Sequence, residues 1–394
     1  MTKPVKPSLI SIIIYEALFL FSGFFSTLGT QFLYYQGAAT GLSLLTNTAT
    51  YVGMASVGFL LLPVWLRSRK FNEDIDMVDV SHATTKDYQL LPEADDEIST
   101  DNNFTDTDVS KDMNPPKEVV DYKIIFAASC LDVIANFALT IGFFYVGSGM
   151  YQVIYSSVVI WCAILSFFFL GRRLSFVQSI SIIGVSIGLA LSALGINQNT
   201  ELTSPPPPSS STGTTMPHSY HMSNTMFGMI LTSFATFGYA CVYVVSDQIL
   251  TARTPNTLPP SPEKVCFLVG TYSTIISLIY IIFYTIPNWN VLITQEMKKK
   301  VPHSSTFIII LIYLLLCFSS FIHNLAYYWL MKELGNVSTG ILNSLRAIIV
   351  FGLSHMMFCS IDHGQCFNIW KGWSAIIVIG FVTVFSISKS RESK

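Results

Sequence analysis

Two ionisable side chains stand where an apolar sequence tolerates them least. Asp132 lies ten residues into the hydrophobic stretch that begins at Tyr122, and Arg346 nine residues into the one that begins at Val337. At the helical rise per residue, both sit about 14–15 Å deep, near the middle of a ~30 Å hydrocarbon core. A charge there costs at least ~2.5 kcal/mol on insertion scales, so each demands a reason. Opposite signs at one depth, in opposite halves of the chain, invite pairing across the centre. Such a pair either fixes helix register or belongs to a substrate or coupling-ion site between repeats, and the sequence leaves both readings open. Glu16 and Asp247 are weaker cases, the latter about one turn from a span end, where it reaches the interface and serves structure.

Each central charge has polar neighbours at helical spacing. Asp132, Asn136 and Thr140 recur at i, i+4 and i+8, and Thr339, Asn343 and Arg346 at i, i+4 and i+7. Gln152, Tyr155 and Ser156 belong to the fourth apolar stretch, and His323, Asn324 and Tyr327 to the eighth. Ser, Thr and Asn often serve as interhelical glue in membranes. Their concentration in the third, fourth, eighth and ninth stretches favours a polar cavity instead. The candidate substrate-contacting set is therefore Asp132, Asn136, Gln152, Tyr155, Ser156, His323, Asn324, Tyr327, Asn343 and Arg346.

These residues need a membrane bundle to hold them. Of 394 residues, 12% are charged and 51% hydrophobic, about half the charge of a soluble domain. Residues 67–121 hold 15 of the 24 acids, which leaves the remainder barer still. A soluble globular enzyme is excluded, and a net charge of −2 offers nucleic acid no basic face. Ten apolar stretches are long enough to cross as helices: 9–34, 43–66, 122–146, 149–170, 175–195, 224–250, 265–286, 305–331, 337–359 and 369–388. None alternates as a barrel strand would. The least defined junctions are Gly147–Gly149 and the stretch around Gly335. The first stretch contains Glu16 and lacks a small-x-small cleavage site, so it reads as an uncleaved span. With the N-terminus cytosolic, 17 of the 22 Lys and Arg face the cytosol and 4 face away, which places both termini in the cytosol.

The organisation that follows is a five-helix group over 1–195, a flexible lumenal linker over 196–223, a second five-helix group over 224–388 and a cytosolic tail over 389–394. The acidic 67–121 loop contains Pro115–Pro116 and is expected to be disordered. Within it, Asp87, Tyr88, Leu90 and Leu91 fit both a Tyr-x-x-apolar and an Asp-x-x-Leu-Leu sorting signal, which would recruit sorting adaptors. Cys359 and Cys366 flank the last lumenal loop, where an oxidising compartment could join them. His218, His221, His303 and His363 fall on the same side, and the His218–His221 pair has too few companions for a metal. The sequons at Asn103 and Asn336 lie on the cytosolic side and should carry no sugar. Gly184-x-x-x-Gly188 permits close approach of a helix, from this chain or from a second copy in a homodimer.

The stretches Gly171-Arg172-Arg173-Leu174, Lys332-Glu333-Leu334 and Leu342-Asn343-Ser344-Leu345-Arg346, with Asp132 and Gln152 at their spacing, resemble the drug/metabolite transporter superfamily. The likeness is to the EamA-type carriers of the subfamily F branch of solute carrier family 35. That branch often has Asp where Asn343 stands and Arg where Tyr155 stands, so one acid and one base are replaced together. The resemblance implies two inverted five-helix repeats around a central cavity, and a lysosomal or vacuolar, endosomal or Golgi membrane. Many members of the branch have no agreed substrate.

The function expected is a secondary transporter that moves a small polar or anionic organic solute across an endomembrane by alternating access. Its partners would be that small molecule and the lipid bilayer, and nothing in the sequence calls for a cofactor or a metal. There is no Gly-x-x-x-x-Gly-Lys-Ser/Thr loop for ATP, no His-Glu-x-x-His and no Gly-x-Ser-x-Gly, so no enzyme is expected. The competing reading is a non-transporting scaffold or trafficking factor that recruits adaptors through its acidic loop.

Overall fold

The computed structural model describes residues 8–63, 117–171, 173–201, 224–251, 257–299, 304–361 and 365–392. They form an all-α bundle. Its helices are α1 (Leu9–Tyr35), α2 (Leu45–Ala55), α3 (Tyr122–Ser156), α4 (Val158–Leu170), α5 (Phe176–Glu201), α6 (Asn224–Leu250), α7 (Pro262–Tyr280), α8 (Thr306–Leu334), α9 (Asn336–Phe358) and α10 (Ile369–Glu392). Extended backbone among the described residues is one two-residue parallel bridge, Lys117–Glu118 with Thr257–Leu258.

Seven helical segments are long and apolar enough to cross a bilayer: Leu9–Tyr35, Leu45–Pro63, Tyr122–Ser148, Met226–Leu250, Pro262–Thr285, Thr306–Leu334 and Asn336–Phe358. Three further apolar helices are shorter: Ile154–Leu170, Phe176–Gly188 and Gly372–Phe385. The outer surface agrees with a lipid environment. Phe168, Phe176, Phe283 and Met356 are each more than 70% exposed, a display of apolar side chains that water would penalise. This is the make-up of a multi-pass membrane protein.

Helix starts follow local chemistry. Ser8, Asp121, Ser261 and Ser305 each cap the helix after them by accepting main-chain N–H groups. Pro262 then occupies the first turn of α7, where its missing N–H costs nothing. The seventh expected span ends in a π-helical turn, Ile281–Thr285, and the stretch beyond it, expected as a loop, contains a second, Asn290–Thr294, and a short helix, Gln295–Lys299. Pro287 interrupts the hydrogen-bond ladder between the two turns. Thr285 Oγ1 anchors the segment by donating to the Ser43 carbonyl at 2.9 Å.

Two junctions depart from the sequence boundaries. The third and fourth stretches join into α3, which runs on to Ser156 through a break at Gly147 (φ 71°, ψ 170°). Gly335, between α8 and α9, adopts nearly the same conformation (φ 78°, ψ 172°). Both lie in the left-handed half of φ space, which favours glycine. They let one helix follow another almost without a loop.

The principal pairings are α3 with α6, α5 with α10, α1 with α8, α2 with α8, α2 with α7, α4 with α6 and α3 with α7. Gly184 and Gly188 of α5 face Phe381, Ile377 and Val378 of α10, so that glycine stripe is occupied within the chain. At the end where α1 begins, called the near end, a large core fills the bundle, including Val57, Ile125, Leu250, Val265, Met331 and Val337. Toward the far end the packing breaks into smaller clusters, such as Leu33, Tyr34 and Phe143 with Leu316. A disulfide joins Cys359 to Cys366 there. Ser148 and Ser354 both donate to Gln365 Oε1, at 2.8 and 2.9 Å, tying that loop to the α3 break. Residues 87–91, Asn103, Pro115–Pro116, His218, His221, His303 and His363 lie outside the described residues.

Candidate functional site

A cavity of about 180 Å³ opens where the near-end core stops. Six helices line it, with Gly23 and Thr30 from α1, Asn47 and Tyr51 from α2, Asp132 and Asn136 from α3, Tyr239 and Tyr243 from α6, His323 and Tyr327 from α8, and Arg346 from α9. Eight tyrosines contribute to its wall: Tyr34, Tyr51, Tyr151, Tyr155, Tyr239, Tyr243, Tyr327 and Tyr328. Their broad rings fill the space between helices, and their hydroxyls keep the surface polar.

Asp132, Asn136, Tyr155, His323, Asn324, Tyr327 and Arg346 all reach this cavity. Gln152, Ser156 and Asn343 are not among the residues that line it and are packed behind the wall. Gln152 and Ser156 are fully buried, with Ser156 Oγ donating to the Gln152 carbonyl at 2.7 Å. Gln152 Nε2 points at the Asn343 carbonyl, 3.5 Å away, and Asn343 Nδ2 donates to Tyr243 Oη at 2.7 Å. Gln152 and Asn343 thereby link α3, α6 and α9, the interhelical use of polar side chains, while the Ser156 bond stays within α3.

The carboxylate and the guanidinium are both buried, 8% and 7% exposed. Among the described residues they form no ion pair; the pairs found there are Lys264–Glu118 and Lys299–Glu296. The direct pairing expected from equal depth is therefore not made. Asp132 Oδ2 has Asn136 Nδ2 at 3.5 Å. That amide also donates to Tyr51 Oη at 2.7 Å, and Tyr51 in turn approaches the Asp132 main-chain oxygen at 3.4 Å.

Arg346 is the more exceptional group. No hydrogen bond holds its guanidinium among the described residues, and its buried Nε is unsatisfied. It lies 5.7 Å from the centroid of the Tyr155 ring, within cation–π range. Gly23 makes room for it: a Cβ at that position would lie 2.6 Å from Arg346 Cδ and 2.9 Å from Nη1. Beside it, His323 stacks on Phe19 with ring centroids 4.4 Å apart. His323 Nδ1 lies 3.1 Å from the Phe19 carbonyl. A carbonyl can only accept, so Nδ1 carries the proton and Nε2 is left for the cavity side.

The helices α1, α2 and α6 supply lining that the sequence reading confined to four other stretches. Thr140 Oγ1 donates to Asn47 Oδ1 at 2.8 Å, and Ser320 Oγ donates to the Thr50 carbonyl at 2.7 Å. A signal was present: Asn47, Thr50 and Tyr51 recur at i, i+3 and i+4, on one face of the helix. Asp247, expected near the interface, is buried at 2% exposure and accepts from the main-chain N–H of Asn336 at 3.4 Å. It caps the start of α9, a structural task.

No protein-family model matches the sequence, and none of the curated proteins does. One solved structure, described only as "Crystal structure of protein", aligns over 98% of this chain and all of its own with a TM-score of 0.53 and 12% identity. At that identity the likeness concerns the fold alone.

Proposed function

We propose that this chain is a secondary transporter of the drug/metabolite transporter superfamily, related to the subfamily F branch of solute carrier family 35. It would move a small polar or anionic solute across an endomembrane, with both termini in the cytosol. The observation that carries this reading is a buried guanidinium with no hydrogen-bonding or ion-pair partner among the described residues, on the wall of a central polar cavity. A partnerless buried charge costs several kcal/mol by rough reckoning, and a cavity beside it gives an incoming anionic group a reason to enter.

Ten spans in two inverted groups are supported by the pairings. Exchanging α1–α5 with α6–α10 turns α3 on α6 into α8 on α1, and α2 on α8 into α7 on α3, while α5 on α10 and α2 on α7 map onto themselves. The matching breaks at Gly147 and Gly335, which precede the fourth and ninth spans, add to this. Alternating access fits the asymmetric packing. The near end is closed by a continuous core, and the cavity extends from mid-bundle toward the far end through Thr140, Phe143 and Tyr151.

The test is uptake of a solute library into vesicles containing the purified protein, with folding followed by thermal melting. Arg346→Ala and Asp132→Ala should each lower flux at least about tenfold, because each removes half of a desolvated charge contact, while both variants still insert and melt cooperatively. Undiminished flux in both variants would remove the cavity from the mechanism.

A further inference from the structure

We propose that the cleft between α4 and α5 binds one anionic phospholipid, with the headgroup phosphate on Arg173 and an acyl chain along α4. The site needs only that the bundle lies in a bilayer, and the orientation proposed above puts it in the cytosolic leaflet. None of its lining residues belongs to the central cavity.

The cleft exists because two helices adjacent in the chain pack elsewhere. α4 rests on α6 and α5 on α10, and the two make little contact with each other. Gly171, at φ 64°, ends α4 in the left-handed conformation and starts the short connection to α5. The space left between the helices is about 540 Å³, within the ~300–1,000 Å³ of sites that hold small molecules. Ala163, Phe167 and Phe168 of α4, Leu174 of the connection and Ser179 of α5 line it. The one hydroxyl in that set, Ser179 Oγ, is turned to the Ser175 carbonyl 3.2 Å away, so the walls are apolar. Phe167 and Phe168 are exposed on the outer surface, so the cleft faces lipid. Left empty, its walls would lose the dispersion contacts that an acyl chain supplies.

Depth decides which part of a lipid meets which residue. Ser166 Oγ accepts from Asn336 Nδ2 at 2.5 Å, so the last turn of α4 is level with the start of α9, at the near end. Arg173 follows that turn, at the height of headgroups. Ala163 lies inward of Leu170 by about 10 Å along the helix, at the height of acyl chains.

The charge at the mouth of the cleft selects the headgroup. Arg173 is exposed, lines the cleft, and has no hydrogen bond or ion pair among the described residues. No acidic side chain lines the cleft among those residues. The start of α5 is already capped by its own side chains: the Ser175 N–H donates to Gln178 Oε1 at 3.2 Å, and the Gln178 N–H to Ser175 Oγ at 3.4 Å. The guanidinium is therefore the donor the cleft presents, and its planar fork suits a phosphate. A choline headgroup would bring a second cation beside it with no acid to receive that charge. A net-anionic headgroup brings none, and basic pockets between spans at the cytosolic side select such lipids.

The experiment titrates the full-length protein in detergent micelles with dioleoyl phosphatidylglycerol, dioleoyl phosphatidylcholine or inorganic phosphate. Native mass spectrometry counts bound molecules and gives Kd, and thermal melting reports the fold. The wild type should take one phosphatidylglycerol at least about fivefold more tightly than phosphatidylcholine, and should not respond to phosphate at the same concentrations. Arg173→Gln should bind the two lipids alike. Lys123→Gln, which removes an exposed near-end cation outside the cleft, should keep the preference. Both variants change exposed side chains and should melt as the wild type does. Equal affinity of the wild type for the two lipids would overturn the inference, as would a preference that survives Arg173→Gln or is lost equally in Lys123→Gln. Phosphate binding that matches phosphatidylglycerol would overturn the lipid and leave a free-anion site at Arg173.

Discussion

Adding one methyl group at Gly23 separates the function of the cavity from the stability of the bundle. The new Cβ would lie 2.6 Å from Arg346 Cδ, 2.9 Å from Nη1 and 3.0 Å from His323 Cε1. Carbon atoms rest comfortably at about 3.5–4.0 Å, so the Arg346 side chain must retreat by about 1 Å. Two effects on stability oppose each other. Alanine is favoured over glycine inside a helix by about 1 kcal/mol. Overpacking a core costs about 1–3 kcal/mol, and the low end applies because Arg346 borders empty space into which it can move. The net change should be within about 1 kcal/mol, too little to unfold the protein. Recognition suffers more. A hydrogen bond from a charged group contributes about 1.5–3 kcal/mol, and moving the guanidinium by a bond length forfeits at least one, so flux should fall by about ten- to a hundredfold. The assay pairs vesicle uptake with thermal melting of Gly23→Ala. Gly352→Ala on α9, where nothing lies within 4 Å of the added methyl, serves as the control. Wild-type uptake by Gly23→Ala would refute the reasoning, because the guanidinium would then have no required position. Loss of cooperative melting would refute it too, since the cavity could not have absorbed the displaced side chain.

Three further outcomes follow. Asp247→Ala removes a buried acceptor from the first N–H of α9 and should cost about 2 kcal/mol, read as a lower melting point; Asp247→Asn, which keeps an oxygen there, should lose less. Replacing both Cys359 and Cys366 with Ala opens a short loop and should cost about 2–3 kcal/mol, and reduction of the unfolded wild type should release two thiols that maleimide then labels. Asn336 should carry no sugar in any membrane orientation, checked by glycosidase treatment, because its buried amide donates to Ser166 Oγ at 2.5 Å.

The long apolar helices were readable because a bilayer demands runs of fixed length, and α6 begins and ends at the residues that composition marks. Gly147 and Gly335 were visible as weak junctions, but only coordinates reveal that both turn through positive φ and keep the chain almost helical. Within the site, periodicity placed Asp132 and Asn136 on one face of α3, and the cavity is on that face. It could not tell which face of the fourth span would be lined, so Tyr155 reaches the cavity while Gln152 and Ser156, a turn or less away, are packed. A helix that is polar on two sides has no single moment to read. The contribution of α2 was obscured because threonine and tyrosine are as common in packed membrane helices as in water-filled ones.

The separation of Asp132 from Arg346 bears on what the pair is for. Two opposite charges that meet inside a membrane neutralise each other and need no hollow; their value is register, and a close contact would supply it. Here each charge keeps its demand. Asn343, which could have faced the guanidinium one turn away, turns to Tyr243 instead. Asn136 turns chiefly to Tyr51, at 2.7 Å against 3.5 Å for the carboxylate. The local amides thus tie tyrosines in place, and both charged side chains stay on the cavity wall, Asp132 within reach of Tyr51 and Asn136. Helix register in this region is held by those amide–tyrosine bonds and by Thr140 on Asn47, none of which needs the guanidinium. A buried charge that lacks a hydrogen-bonding partner is a burden on folding, and at Arg346 the solute proposed above would offset it.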